Sequence, residues 1–175
     1  MKAKHLRHWV KTCISKATLS NCIRRQFGCV AIDPESNVII TEGYNGGLRG
    51  GGDLCAGNVC EREGIDSGSR FEQGCVHAEQ NAIYNAARRG VSLIDSWFII
   101  NGEPCKLCAK AIVQVGATKV LCIGGVYESN GVQTLKDAQV SVYMIDDIDN
   151  YDYASVMLKR IVYRRQNNTS DSPFA

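Results

Sequence analysis

Histidine is nearly absent from this chain, with three in 175 residues, and aromatic residues make up only 7%. His5 and His8 stand at the start, so any histidine chemistry in the body of the domain falls on His77. Long apolar runs are missing too. Nothing approaches the ~20 residues that a membrane-spanning helix needs, and Met1-Lys2-Ala3-Lys4-His5 leads into no signal-type apolar stretch. Nor does one sign of charge dominate: the formal net charge is +2, too small by itself to imply nucleic acid or a membrane surface as partner. There is no internal repeat and no sign of a second domain. These absences lead us to expect one cytoplasmic domain over residues 1–165, followed by a flexible Ser/Asn/Asp-rich tail over 166–175.

What is present is cysteine, nine of them, an odd number with close pairs at Cys55/Cys60 and Cys105/Cys108. Without export signals, that pattern favours metal ligands and reduced thiols over disulfides. Cys13, Cys22, Cys29 and Cys122 lie in apolar surroundings and read as small buried hydrophobes. At 45% apolar residues the chain can bury a core without covalent staples.

The pattern along the chain predicts a first amphipathic helix over 4–19 and two short strands, 27–32 and 38–42. Asp33-Pro34-Glu35-Ser36-Asn37 is a turn between those strands, which makes them a hairpin. Residues 44–74 form a long glycine-rich loop of the kind that is either functional or held by something. Helices are then expected over 77–89, 104–115, 132–138 and 151–165, alternating with strands over 97–101, 120–123 and 140–145. Gly90 and Gly116 end the first two of these helices, and Pro104 is placed in a first turn. Buried strands alternating with helices need crossover connections, so the fold class is α/β, a three-layer α/β/α sandwich on a mixed five-stranded sheet.

Two segments carry chemistry. Cys75-Val76-His77-Ala78-Glu79 opens one predicted helix, and Glu103-Pro104-Cys105-Lys106-Leu107-Cys108 opens the next. Spaced three apart, Cys105 and Cys108 share a helix face, and the positive helix start favours the thiolates a metal requires. With His77 they make three ligands of types zinc prefers, leaving a fourth position for water, the layout of a catalytic site rather than a closed structural one. Glu79 can reach that water without ligating the metal, and serves as the proton carrier. His-x-Glu followed by Pro-Cys-x-x-Cys resembles the signature of zinc-dependent deaminases.

The resemblance becomes specific over residues 5–145. Cys75-Val76-His77-Ala78-Glu79-Gln80-Asn81-Ala82-Ile83 is similar to the His-Ala-Glu-x-Asn-Ala-Ile signature of the deoxycytidylate deaminase family. Gly43-Tyr44-Asn45-Gly46, the basic stretch from Ser20 to Gly28, and Pro104-Cys105-Lys106-Leu107-Cys108-Ala109-Lys110 resemble further segments of that family. The resemblance implies hydrolytic conversion of dCMP to dUMP. His77, Cys105 and Cys108 would hold Zn2+ and Glu79 would move protons. Asn45 would bond the sugar, Tyr127 would stack on the base, Ala78 would line the substrate site, and Arg24 or Arg25 would meet the phosphate. It further implies dCTP or dTTP as effector, with Mg2+ entering only alongside a regulatory triphosphate, and a homo-oligomer, with the hexamer favoured.

The chain departs from the family after Asn45. Members often carry a proline there, whereas this chain has Gly46-Gly47-Leu48-Arg49 and then three glycines. Because this stretch shapes the pocket in many members, phosphate number and base modification stay open. Cys55, Cys60 and Cys75 are candidates for a second, structural zinc that would pin the loop. A tRNA adenosine deaminase shares the same motifs but needs a basic groove, and Lys159, Arg160, Arg164 and Arg165 read instead as an exposed helix face or interface. A zinc-stabilised binding module without turnover is the reading from another class, and Glu79→Ala separates it from an enzyme.

Overall fold

The computed structural model describes residues 3–50, 60, 64–65, 74–124 and 130–145. Nine elements follow one another: α1 (Ala3–Ala17), β1 (Gly28–Asp33), β2 (Val38–Tyr44), α2 (Ala78–Arg89), β3 (Trp97–Ile100), α3 (Lys106–Gln114), β4 (Lys119–Ile123), α4 (Gly131–Asp137) and β5 (Ser141–Ile145). The expected helix over 151–165, the tail, and most of the 44–74 loop lie outside the described residues.

The turn after β1 closes as its residues require. Asp33 Oδ1 accepts the Glu35 N–H at 2.9 Å, the Asp33 carbonyl accepts the Asn37 N–H at 2.9 Å, and Asn37 takes a left-handed φ of 58°. Asparagine tolerates that conformation better than most residues. The hairpin this makes supplies two strands of a five-stranded sheet in the order β2-β1-β3-β4-β5. β1 is antiparallel to both β2 and β3, whereas β3, β4 and β5 run parallel. The sheet is therefore mixed, as expected.

Strand alternation sorts the core into two layers. Cys29, Ala31, Phe98, Ile100, Val120 and Cys122 point to the face covered by α2, α3 and α4. Val30, Ile32, Ile99, Leu121 and Ile123 point to the other, where Leu6, Val10 and Cys13 of α1 meet them. The two covers differ in grain. The fully buried apolar residues of α2 are all alanines, Ala78, Ala82 and Ala86, with Ile83 half-buried beside them, so its backbone lies close against the sheet. Gly43 of β2 completes that approach: a Cβ there would stand 2.3 Å from the Ala78 carbonyl oxygen and 2.5 Å from the Ala82 nitrogen. Thr41 donates to the Ala82 carbonyl at 2.9 Å on the same contact.

Gly90 ends α2 in the left-handed conformation, φ 66° and ψ 30°, returning its N–H to the last turn. Gly116, at φ 80°, does the same after α3. Two expectations need correction. Pro104 is not in the first turn of α3: the helix opens at Lys106 and Cys105 is its N-cap, so the proline precedes the cap. Cys22 is half-buried rather than core, because the segment it sits on runs outside the sheet, where its sulfur accepts the Arg25 N–H at 3.5 Å. Cys13, Cys29 and Cys122 are buried as expected, and burial pushes the Cys13 thiol up to about 12.

Candidate active site

The site forms where β1 begins and β3 ends. Both ligand-bearing segments start helices there, each with its ligand as the N-cap: His77 at φ −73°, ψ 158° and Cys105 at φ −69°, ψ 167°. Extended backbone at a cap lets the side chain lie over the open start of the helix, where the first-turn N–H groups have no partner within the helix. Gln80 Oε1 accepts the His77 N–H at 2.9 Å, and the Cys105 sulfur accepts the Cys108 N–H at 3.5 Å. α2 is further tied to the edge strand, since Asn81 and Asn85 donate to the Tyr44 and Glu42 carbonyls at 2.7 and 2.9 Å. Just before His77, Val76 pairs with Gly46 through two backbone bonds of 2.8 and 3.1 Å.

The His77, Cys105 and Cys108 donor atoms all lie within 4.8 Å of one another, the only such group of three among the described residues. Whether zinc fits can be tested on the spacing. A tetrahedral ion ~2.3 Å from each sulfur and ~2.0 Å from a nitrogen sets N···S at ~3.5 Å, and His77 Nδ1 lies 3.5 Å from the Cys105 sulfur and 3.4 Å from the Cys108 sulfur. The donors fit. Their protonation agrees. The hydrogen bond with Cys108, opposed by burial, brings Cys105 down to about 4, and the same pairing together with burial pushes the Cys108 thiol up. Two adjacent buried sulfurs keep one proton between them until a cation balances the second charge.

Glu79 is only 5% exposed, on the first turn of α2. Burial raises its carboxyl above the usual range, with the charge on His77 opposing. A carboxyl so placed can both accept and return a proton.

The remaining candidate residues are placed as follows. The Ala78 side chain is wholly buried in the core, so only its main chain could face a ligand; as first residue of α2, its N–H is one the helix leaves unbonded. Asn45 is buried and its amide is engaged at both ends, accepting the Phe27 N–H at 2.7 Å and donating to the Arg25 carbonyl at 3.1 Å. Arg25 is half-buried with its guanidinium 4.9 Å from the Phe27 ring, and Arg24 is exposed with a nitrogen 3.9 Å from the Cys60 sulfur. Tyr127 and Cys55 lie outside the described residues, and Cys60 and Cys75 join no further group of three donors among those described. Sequence reasoning passed over Gln80, Asn101, Gly43 and Gly131 as positioning residues; Gln80 alone carried a signal, standing at the capping-box position of α2.

A mixed α/β sandwich with a half-buried histidine, two buried cysteines and a buried carboxyl at one site defines a zinc-binding domain. Residues 3–123 match the family model for the cytidine and deoxycytidylate deaminase zinc-binding region, and the chain belongs to that family. It is 31% identical over 136 residues to the deoxycytidylate deaminase of Saccharomyces cerevisiae, covering 77% of this chain and 43% of that protein. With the probable deoxycytidylate deaminase of Drosophila melanogaster it shares 32% over 137 residues, 72% of this chain and 64% of the relative. The chain thus spans less than two thirds of the length of either curated relative. A solved dCMP deaminase from the cyanophage S-TIM5, in complex with dCMP and dUMP, superposes with a TM-score of 0.70 at 27% identity, covering 83% of this chain and 99% of that one.

Proposed function

We propose that this chain is a zinc-dependent hydrolytic deaminase of a free deoxycytidine nucleotide, converting dCMP and water to dUMP and ammonia. The observation that carries the reading is Glu79, a buried carboxyl on the helix turn that also presents His77. A structural zinc site has no use for a buried proton carrier. His77, Cys105 and Cys108 would hold the zinc, which when bound supplies the Lewis acidity that activates water. Glu79 takes a proton from the attacking water and passes it to the ring nitrogen N3 as the new C4–O bond forms. Glu79 then carries the proton of the new C4 hydroxyl to the amine, so that the C4–N bond breaks, ammonia leaves and the C4 carbonyl forms.

The Ala78 N–H and Asn45 would line the substrate. With its amide already holding Arg25 and Phe27, Asn45 would meet a sugar hydroxyl through its second lone pair or second hydrogen. Tyr127 would stack on the base, and Arg25 or Arg24 would meet the phosphate. A dCTP or dTTP effector accompanied by Mg2+, a second zinc on Cys55, Cys60 and Cys75, a homohexamer and a cytoplasmic location complete the reading. Likeness to the deoxycytidylate deaminases supports dCMP as the substrate.

The test is loss of the cytosine absorbance band for dCMP, dCTP, CMP, deoxycytidine and 5-substituted dCMP, with and without effector. Turnover of dCMP that disappears in Glu79→Ala with zinc retained is the expected result. A zinc-loaded protein inert on every cytosine nucleotide would overturn the reading, and tRNA adenosine would be tried next.

A further inference from the structure

β1 lies between β2 and β3 and is antiparallel to both, so the residues entering β1 pass between those leaving its two neighbours. The sheet's ladder ends there, but the pairing does not. On one side Asn45 bonds the Arg25 carbonyl at 3.1 Å and the Phe27 N–H at 2.7 Å. On the other Asn101 bonds the Gln26 carbonyl at 3.0 Å and the Gly28 N–H at 2.6 Å. The two amides thus take alternate main-chain groups of residues 25–28 from opposite sides, as two flanking strands would. Backbone bonds run alongside, from Asn45 N–H to the Phe27 carbonyl at 3.1 Å and from Asn101 N–H to the Gly28 carbonyl at 3.4 Å.

Each asparagine also adjoins a ligand-bearing segment, Asn45 across a backbone pairing and Asn101 along the chain. Asn45 precedes Gly46, which pairs with Val76 next to His77. Asn101 precedes Gly102, whose added Cβ would stand 2.6 Å from the Phe27 ring, and Cys105 follows three residues later. Segment 25–28 is therefore held between the routes to His77 and to Cys105, with the Arg25 guanidinium over the Phe27 ring.

We propose that Asn101 is a positioning residue for substrate: with Asn45 it splints residues 25–28, and through them it holds Arg25 where the nucleotide phosphate binds. The inference rests on the nucleotide deaminase reading above and adds a residue that touches neither metal nor substrate. Asn101 acts on binding, not on proton transfer, because Glu79 and the zinc donors sit on the helix starts and not on the splinted segment.

The experiment is steady-state kinetics of zinc-loaded Asn101→Ala, Arg25→Gln and the double variant on dCMP, with zinc content and amide exchange at Phe27 and Gly28 as parallel readouts. Asn101→Ala should raise KM about tenfold, with kcat within about threefold and zinc unchanged. Exchange at Phe27 and Gly28 should rise. The two substitutions should be non-additive, the double variant having a KM close to that of Arg25→Gln. Asn101→Asp keeps the acceptor for the Gly28 N–H but loses the donor to the Gln26 carbonyl; it should raise KM less, and it carries the test if the alanine variant does not fold. An unchanged KM, a fall confined to kcat, or additive KM effects would overturn the proposal while the deaminase reading stands. A wild-type protein inert on cytosine nucleotides removes that reading and the phosphate role with it. Unchanged amide exchange in Asn101→Ala overturns the splint itself, whatever the activity.

Discussion

The starts of α2 and α3 invite comparison because they solve one problem in two ways. Each must present a metal donor from an N-cap position, and neither histidine nor cysteine is among the residues that usually cap helices. Their cap backbones are nearly the same, φ −73°, ψ 158° and φ −69°, ψ 167°. At α2 a separate side chain closes the turn, with Gln80 bonding the His77 main chain. At α3 the ligand closes it: the Cys105 sulfur accepts the Cys108 N–H. α2 is a scaffold that holds its ligand, and so can also hold Glu79 in register. α3 has no such division of labour, and its start is coupled to the charge on its own ligand.

Removing ligands breaks the comparison most sharply. Cys105→Ala and Cys105→Ser should both abolish zinc binding and activity, read by metal stoichiometry and turnover. They should differ in the metal-free protein. Serine is a good cap and alanine a poor one, so the alanine variant should be less stable by about 1 kcal/mol in urea denaturation. Equal stabilities would mean that the Cys105–Cys108 bond contributes nothing to α3.

Glu79→Gln comes next. It keeps shape and burial but cannot carry the proton, so kcat should fall by about 10²- to 10⁴-fold with zinc content unchanged. Loss of zinc in that variant would contradict the separation of scaffold from ligand on α2.

Each helix start also leans on a glycine. A Cβ on Gly43 would meet the Ala78 carbonyl oxygen at 2.3 Å, and one on Gly131 would meet the Pro104 carbonyl oxygen at 1.8 Å. Backbone lies on both sides of each contact, so the elements must separate. Gly43→Ala and Gly131→Ala should each cost about 1–3 kcal/mol, measured by denaturation. Gly43→Ala should lower kcat through Glu79 more than it lowers zinc affinity, and Gly131→Ala should weaken zinc more than it slows turnover.

The ligands and Glu79 were legible in the sequence because their chemistry depends on spacing along the chain. His77 to Glu79 and Cys105 to Cys108 are local intervals, and a helix turn brings each pair together whatever the rest of the fold does. The strands were legible for the same reason, through their periodicity. Asn101 was not. Its partners, Gln26 and Gly28, are distant in sequence, and only the order β2-β1-β3 brings them alongside. Asn45 stood out by its motif, yet its bonds to Arg25 and Phe27 depend on that same strand order. The position of Pro104 was misjudged because proline's preference for a first turn assumes an ordinary cap before it, and here Cys105 is the cap.

Gln80 gives the finest test of the comparison. Its side chain is the one part of the α2 cap that is not itself ligand or backbone, so it can be changed without touching a donor. Gln80→Leu removes the acceptor for the His77 N–H and should destabilise the protein by about 1 kcal/mol. If α2 is a scaffold, the loosened cap should speed zinc loss to a chelator by a few-fold at unchanged stoichiometry. Gln80→Glu retains an acceptor at the same reach and adds charge favourable to a helix start, so it should restore both stability and zinc retention. A leucine variant that loses stability yet holds zinc as firmly as the wild type would place the control of His77 elsewhere, in the Gly46–Val76 pairing that precedes it.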